Sequence, residues 1–145
     1  MRIFMIVAIL LSQGCALMPD GSVPLYERFH QYKTAVDDGS IVGYYKDFFA
    51  PKLVDEVDVE SPAIQSQLSF AQYMQQELSH FQTFNQKAGC LTINGMTPEQ
   101  SPVAFYIKYE SISNQWLMSD IDVSLLETVD QFKEQALCPE EVRIN

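Results

Sequence analysis

The sequence predicts an α+β domain: three N-terminal helices packed on a three-stranded, or slightly larger, antiparallel meander, with a C-terminal helix tied back by a disulfide. Three observations carry this. Apolar residues recur at intervals of three and four through the first half of the chain. After Gly89 that period gives way to alternation. Cys90 and Cys138 then bracket a 49-residue segment, both cysteines counted.

The chain opens with Met1-Arg2 and nine apolar residues, Ile3 to Leu11, and continues Ser12-Gln13-Gly14-Cys15. One positive charge, a short apolar run and a small residue before a cysteine have the form of a secretory signal peptide. A transmembrane helix is the alternative, but nine residues rise only about 14 Å against roughly 30 Å of hydrocarbon. Ordinary secretion, with cleavage near Gly14, would leave Cys15 as an odd free thiol. The stretch resembles the signal of bacterial lipoproteins, in which the cysteine after the small residue is lipidated (palmitate) and becomes the first mature residue. The resemblance covers residues 1–15 and implies a signal peptide over 1–14 with lipidation at Cys15. Leu11 stands one position further from the cysteine than the common pattern has it. In the Gram-negative family an Asp after the cysteine retains the protein in the inner membrane. Ala16 and Leu17 follow here, so the resemblance implies an outer-membrane anchor facing the periplasm, or the cell membrane of a Gram-positive host.

Residues 15–22 then form the lipidated cysteine and a short tether, and 23–145 a single domain. The seven residues 16–22 reach at most about 24 Å, which suits a partner at the same membrane.

Ser22 is the expected N-cap of a first helix with Pro24 in its first turn. Leu25, Phe29, Tyr32 and Val36 share one face, and Gly39 closes it. Ser40 opens a second helix carrying Ile41, Tyr44, Tyr45, Phe48 and Phe49, stopped near Pro51. Another helical turn over 52–57 runs into the acidic stretch Asp55, Glu56, Asp58, Glu60. Ser61-Pro62 opens the longest predicted helix, 62–87, striped by Ile64, Leu68, Ala71, Met74, Leu78, Phe81 and Phe84.

Cys90 to Ile93 reads as the first strand, followed by a turn-rich stretch from Asn94-Gly95 to Pro102. Val103 to Ile112 alternates, and Trp116 to Val123 is the third strand. A three-residue loop, Ser113-Asn114-Gln115, sets Ile107 opposite Ile121, Phe105 opposite Val123, Lys108 opposite Asp120 and Tyr106 opposite Asp122. A two-residue loop would place carboxylates opposite core residues, at a desolvation cost. Ser124-Leu125-Leu126-Glu127 matches a capping box and opens the last helix, with Leu125, Val129, Phe132 and Ala136 on one face. Helices followed by an antiparallel sheet, with the late strand Trp116-Leu117-Met118-Ser119-Asp120-Ile121, resemble the nuclear-transport-factor-like cone fold over residues 23–123. The final helix and low strand count depart from it.

Formal net charge is −10. This acidity argues against nucleic acid, whose phosphates need a basic surface, and solubility explains it without a cationic partner. Sixteen Phe and Tyr supply a core. With Cys15 set aside, Cys90 and Cys138 form an even pair, expected to bridge in an oxidising compartment. Two buried thiols are the alternative. Such a bridge contributes about 4 kcal/mol in the chain-entropy model.

No Gly-rich phosphate loop, GxSxG or HExxH is present. No cofactor is expected. His30 and His80 have no His or Cys at ligand spacing, so no metal site is expected. Asp120 and Asp122 lie two apart on one strand, where cross-strand pairing competes with acid–base chemistry. Tyr106, Lys108, Glu110, Trp116, Met118 and Asp120 are expected on the sheet face away from the helices. Their aromatic and charged composition suits an interface, with coverage by the last helix or the 94–102 loop as the alternative. The leading expectation is a non-enzymatic lipoprotein, anchored in the membrane by its lipid, that binds an envelope protein. Such a protein would resemble pilotins or periplasmic immunity lipoproteins. The alternative is a ligand-binding or catalytic pocket in the cone fold, lined by Tyr26, Tyr32, Tyr44 and Tyr45.

Overall fold

Residues 23–144 are described by a computed structural model. The predicted signal peptide over 1–14, the predicted lipidation site Cys15, the expected tether to Ser22, and Asn145 lie outside the described residues. The helical half comprises α1 (Leu25–Asp37), α2 (Ile41–Tyr44), a 3-10 turn (Tyr45–Asp47), α3 (Pro51–Val54), α4 (Pro62–Leu68) and a second 3-10 turn (Phe70–Tyr73). Four strands follow: β1 (Gln76–Phe84), β2 (Ala88–Met96), β3 (Pro102–Ile112) and β4 (Gln115–Leu125). They form one antiparallel meander in the order β1-β2-β3-β4. A 3-10 turn (Val129–Gln131) and α5 (Pro139–Val142) close the chain.

α1 buries Leu25, Phe29, Tyr32 and Val36 as its spacing predicts. Its N-cap is Pro24, and Gly39 adopts the left-handed conformation at φ 77° past its end. Phe29, Tyr32, Phe70 and Phe105 interlock with centroids 5.0 to 6.3 Å apart. The Tyr32 hydroxyl donates to the Leu68 carbonyl at 2.8 Å and accepts from the Ala71 N–H at 3.3 Å. One tyrosine thus fills the core and satisfies backbone groups where α4 ends.

The predicted helix 62–87 is corrected. It stops at Leu68, and residues 76–84 are an edge strand. The reason lies in β2, which is buried from Gly89 to Gly95. A three-stranded sheet would leave one side of that buried backbone unpaired, so β1 is recruited against it. Asn94 and Gly95, expected in a turn, lie within β2. A Cβ at Gly95 would overlap the Gln76 carbonyl and the Met74 side chain, so the glycine permits the chain to cross there.

The predicted β3–β4 pairs from Val103 to Lys108 are present, but by a different device. The turn has two residues, Ser113 and Asn114, both at positive φ (50° and 65°). A bulge then inserts Ser119: Lys108 pairs with Asp120 while Tyr109 pairs with Met118.

The predicted last helix, 124–137, is also corrected. β4 continues to Leu125, opposite Val103. The Ser124 hydroxyl bonds Asp122, not a helix N-terminus, and Leu125 is 73% exposed. The capping box lies one turn on, where Thr128 and Gln131 cap the Val129–Gln131 turn. From there the chain crosses the outer sheet face as a largely non-helical strap. Asn94 donates to the Lys133 carbonyl at 2.9 Å, and Leu137 N–H donates to Thr92 Oγ1 at 2.9 Å. The Cys90–Cys138 disulfide pins the strap to β2, with Cα atoms 5.1 Å apart.

Replacing both cysteines, Cys90→Ser with Cys138→Ser, should lower stability by about 2–4 kcal/mol. A denaturant titration measures this as a lower midpoint, and reductant should leave the variant's midpoint unchanged.

Candidate functional site

The six residues expected on one interaction face are separated. The Ser119 bulge turns Trp116 and Met118 to the helix side, where they are buried in the core. Tyr106 remains on the outer face but is only 2% exposed, and burial with the nearby Asp122 charge raises its phenol pKa. Lys108 pairs with Glu140 of α5 at 2.8 Å, and Glu110 with Lys52 of α3 at 2.9 Å. Their hydrogen bonds hold both carboxyls below the usual range. Asp120 accepts two hydrogen bonds from the Arg143 guanidinium, each 2.9 Å, and Asp122 faces the same guanidinium at 3.5 Å. The two aspartates are therefore engaged by a fixed cation, an arrangement that serves the strap and leaves no free acid–base pair.

The tyrosines proposed to line a pocket diverge. Tyr32 is inside the core, Tyr44 is exposed, and Tyr45 and Tyr26 lie at the periphery. Tyr26 instead joins both histidines. Its ring stacks on His80 at 3.5 Å and meets His30 edge-on at 4.6 Å. Its hydroxyl donates to Glu77 Oε2 at 2.7 Å, and His30 Nε2 lies 3.4 Å from the same oxygen. Sequence spacing does not show this meeting, because the stripe over 62–87 predicts helix where β1 lies. Among the described residues, no group of three or more His, Cys, Asp and Glu could hold a metal ion.

An open groove lies where α3, α4 and the turn after α4 face β4. It has a volume of about 340 Å³. Leu53, Phe70, Tyr73, Ile121 and Val123 line it, and Gln67 and Asp120 are its polar members. Leu53, Tyr73 and Val123 remain 36%, 49% and 36% exposed. The segment joining the α3 and α4 walls carries Asp55, Glu56, Asp58 and Glu60, all exposed. Sequence reasoning identified this acidic run but not the groove beside it. Tyr73 falls within the stretch whose stripe predicts a long helix, and Leu53 belongs to no periodic stripe.

β4 is the outer strand of the sheet at this groove. Its free side pairs at Met118, whose N–H and carbonyl bond Phe48 and Ala50 at 2.8 Å each. At Ile121 the N–H is taken by the Asp120 carboxylate and the carbonyl by Arg143, each at 2.9 Å.

No family model, curated protein or solved structure matches the chain. Among the described residues, no helix is long and apolar enough to cross a membrane.

Burial and the Glu77 hydrogen bond push the Tyr26 phenol up to about 12 from an unfolded value of 10.0. Because the folded pKa is raised, its contribution is fully present below pH 10 and is lost as pH rises through about 12. Tyr26→Phe should therefore make the alkaline fall in stability shallower between those values. Some fall should persist, since burial also raises Tyr32 and Tyr109. Denaturant midpoints measured from pH 9 to 12 check this, and identical slopes for the two proteins would refute it.

Proposed function

We propose that this protein is a non-enzymatic envelope lipoprotein, anchored through Cys15, that binds a partner protein through the groove beside β4. The carrying observation is that groove: partly exposed apolar side chains line an open trough along a sheet edge, in a domain whose interior is filled. Isolated exposed hydrophobics need no explanation, but a contiguous apolar trough with a polar rim is the usual form of a docking surface. The filled core supports this reading over an internal ligand pocket. Phe29, Tyr32, Phe70 and Phe105 occupy the space between helices and sheet, and the four tyrosines assigned to a pocket do not converge.

The reading places the domain at the outer membrane, facing the periplasm, within the short reach of its tether. A pilotin-like or immunity-like role suits such a leash. The lipid supplies the membrane attachment, so the domain's own acidic surface need not contact anionic headgroups.

The test is cross-linking of the tagged, lipidated protein in its native envelope, followed by identification of the captured protein. Leu53→Gln and Val123→Gln replace partly exposed side chains and should change stability by no more than about 0.5 kcal/mol. Each should reduce capture of a specific partner several-fold, and Cys15→Ala should weaken capture by removing the protein from the membrane. Undiminished capture by both groove variants would refute the groove as the binding surface. The absence of any partner above background would refute the binding role.

A further inference from the structure

We infer that the groove receives an extended segment of the partner, apolar at alternate positions and carrying Lys or Arg, which adds as a further strand alongside β4. This rests on the protein-binding reading above and specifies the chemistry of the partner.

The backbone of β4 supplies the first argument. Along a strand, the N–H and carbonyl of successive residues point to alternate sides. Ile121 points away from β3, since its partners are the Asp120 carboxylate and Arg143. Leu126 points towards β3, donating to the Pro102 carbonyl at 2.9 Å. Val123 and Leu125, in phase with Ile121, therefore present their backbone groups to the open side. The Phe48–Ala50 segment already pairs there at Met118, so this edge accepts a neighbour. The Ile121 cap covers the next step, and among the described residues the strand beyond it has no neighbour on this side and is left for an incoming chain.

Side chains supply the second argument. Val123 lines the groove beside Ile121, opposite Leu53 and Tyr73. A strand laid against β4 would direct every second residue into that trough. Apolar residues fit there, and polar residues fit the intervening positions.

Charge selects among occupants. Asp55, Glu56, Asp58 and Glu60 are exposed between the two elements that wall the groove, and the chain carries a net charge of −10. A second copy would bring the same acids to the same edge, and an acidic segment would meet like charge. A segment bearing cations is favoured on both counts.

The test uses the full-length lipidated protein in phosphatidylcholine vesicles, with a photo-crosslinking side chain in place of Leu125. The probes are a peptide of alternating lysine and valine, its glutamate–valine counterpart, and a lysine–valine peptide N-methylated at alternate amides. The lysine–valine peptide should cross-link at least about 10-fold more than either other probe, a difference of roughly 1.4 kcal/mol. Leu53→Gln should reduce its cross-linking several-fold. Equal cross-linking by the N-methylated peptide would overturn strand addition, and equal cross-linking by the glutamate peptide would overturn the charge selection. A protein–protein cross-link that excludes the peptide would assign the edge to a second copy. Peptide cross-linking without any envelope partner would sink the proposed function, and with it the partner named here, while establishing strand addition and charge selection at this edge. A groove-dependent partner with no peptide cross-linking would sink this inference alone.

Discussion

Ser119 is an extra residue in the β3–β4 ladder, and the rest of the molecule is arranged around that insertion. On the turn side of the bulge, Trp116 and Met118 face the helices and enter the core. On the other side, Ile121 and Val123 share the helix face, while Asp122 faces outward and Asp120, next to the bulge, borders the groove and meets Arg143. Without the insertion, alternation would carry one of these two sets to the wrong face, because a slip of one residue inverts every side chain. The Ser119 hydroxyl helps hold the bulge by donating to the Lys108 carbonyl at 3.3 Å. Arg28 braces the same strand from the helical layer: its guanidinium donates to the Trp116 carbonyl at 3.2 Å and lies over the Phe48 ring at 4.7 Å. The groove depends on this geometry, since the bulge lies between the buried half of β4 and its open half.

The strap solves a second problem created by the sheet. Helices cover one face, and the other carries Thr92, Asn94 and Tyr106 across its centre. These side chains would be solvated if uncovered. The strap crosses them, donating to Thr92 Oγ1 and accepting from Asn94 Nδ2, with the disulfide fixing its path at Cys90. Asn94 Oδ1 remains buried without a hydrogen-bond partner. The strap ends by placing Arg143 on Asp120, Asp122 and the Ile121 carbonyl. It therefore covers a face and also caps part of an edge.

Legibility in the sequence followed the strength of local patterns. The α1 stripe was readable because four large apolar residues repeat within one helix and Gly39 marks its end. The pairing of Phe105 with Val123 and Ile107 with Ile121 was readable because carboxylates opposite core residues are costly. The means of achieving that pairing was not, since a bulge and a longer loop produce the same parity further along. β1 was misread because Leu78, Phe81 and Phe84 also fit a helical stripe, and the need for a fourth strand arises from β2, not from local propensity. The last helix was misread because Ser124 and Glu127 satisfy a capping pattern that β4 overrides. The groove was the least legible feature, as it joins Leu53, Tyr73 and Val123 from three elements, one of them misassigned.

These errors share a cause that bears on function. The two stretches that resisted reading, residues 76–84 and 124–137, are those whose conformation is set by pairing with distant backbone. Both end at sheet edges, where local sequence is permissive because one side of the strand has no fixed neighbour. β1 is covered in part by α1, through the Tyr26–His80 stack and the Tyr26–Glu77 hydrogen bond. Among the described residues, the free side of β4 is covered at Met118 and Ile121 alone. The strap covers the outer sheet face and α1 covers part of β1, whereas among the described residues the end of β4 stands open beside the apolar side chains of the groove and retains capacity for one more strand. The acids next to that edge oppose pairing between copies and favour a cationic segment. The same charge that limits self-association would then select the partner.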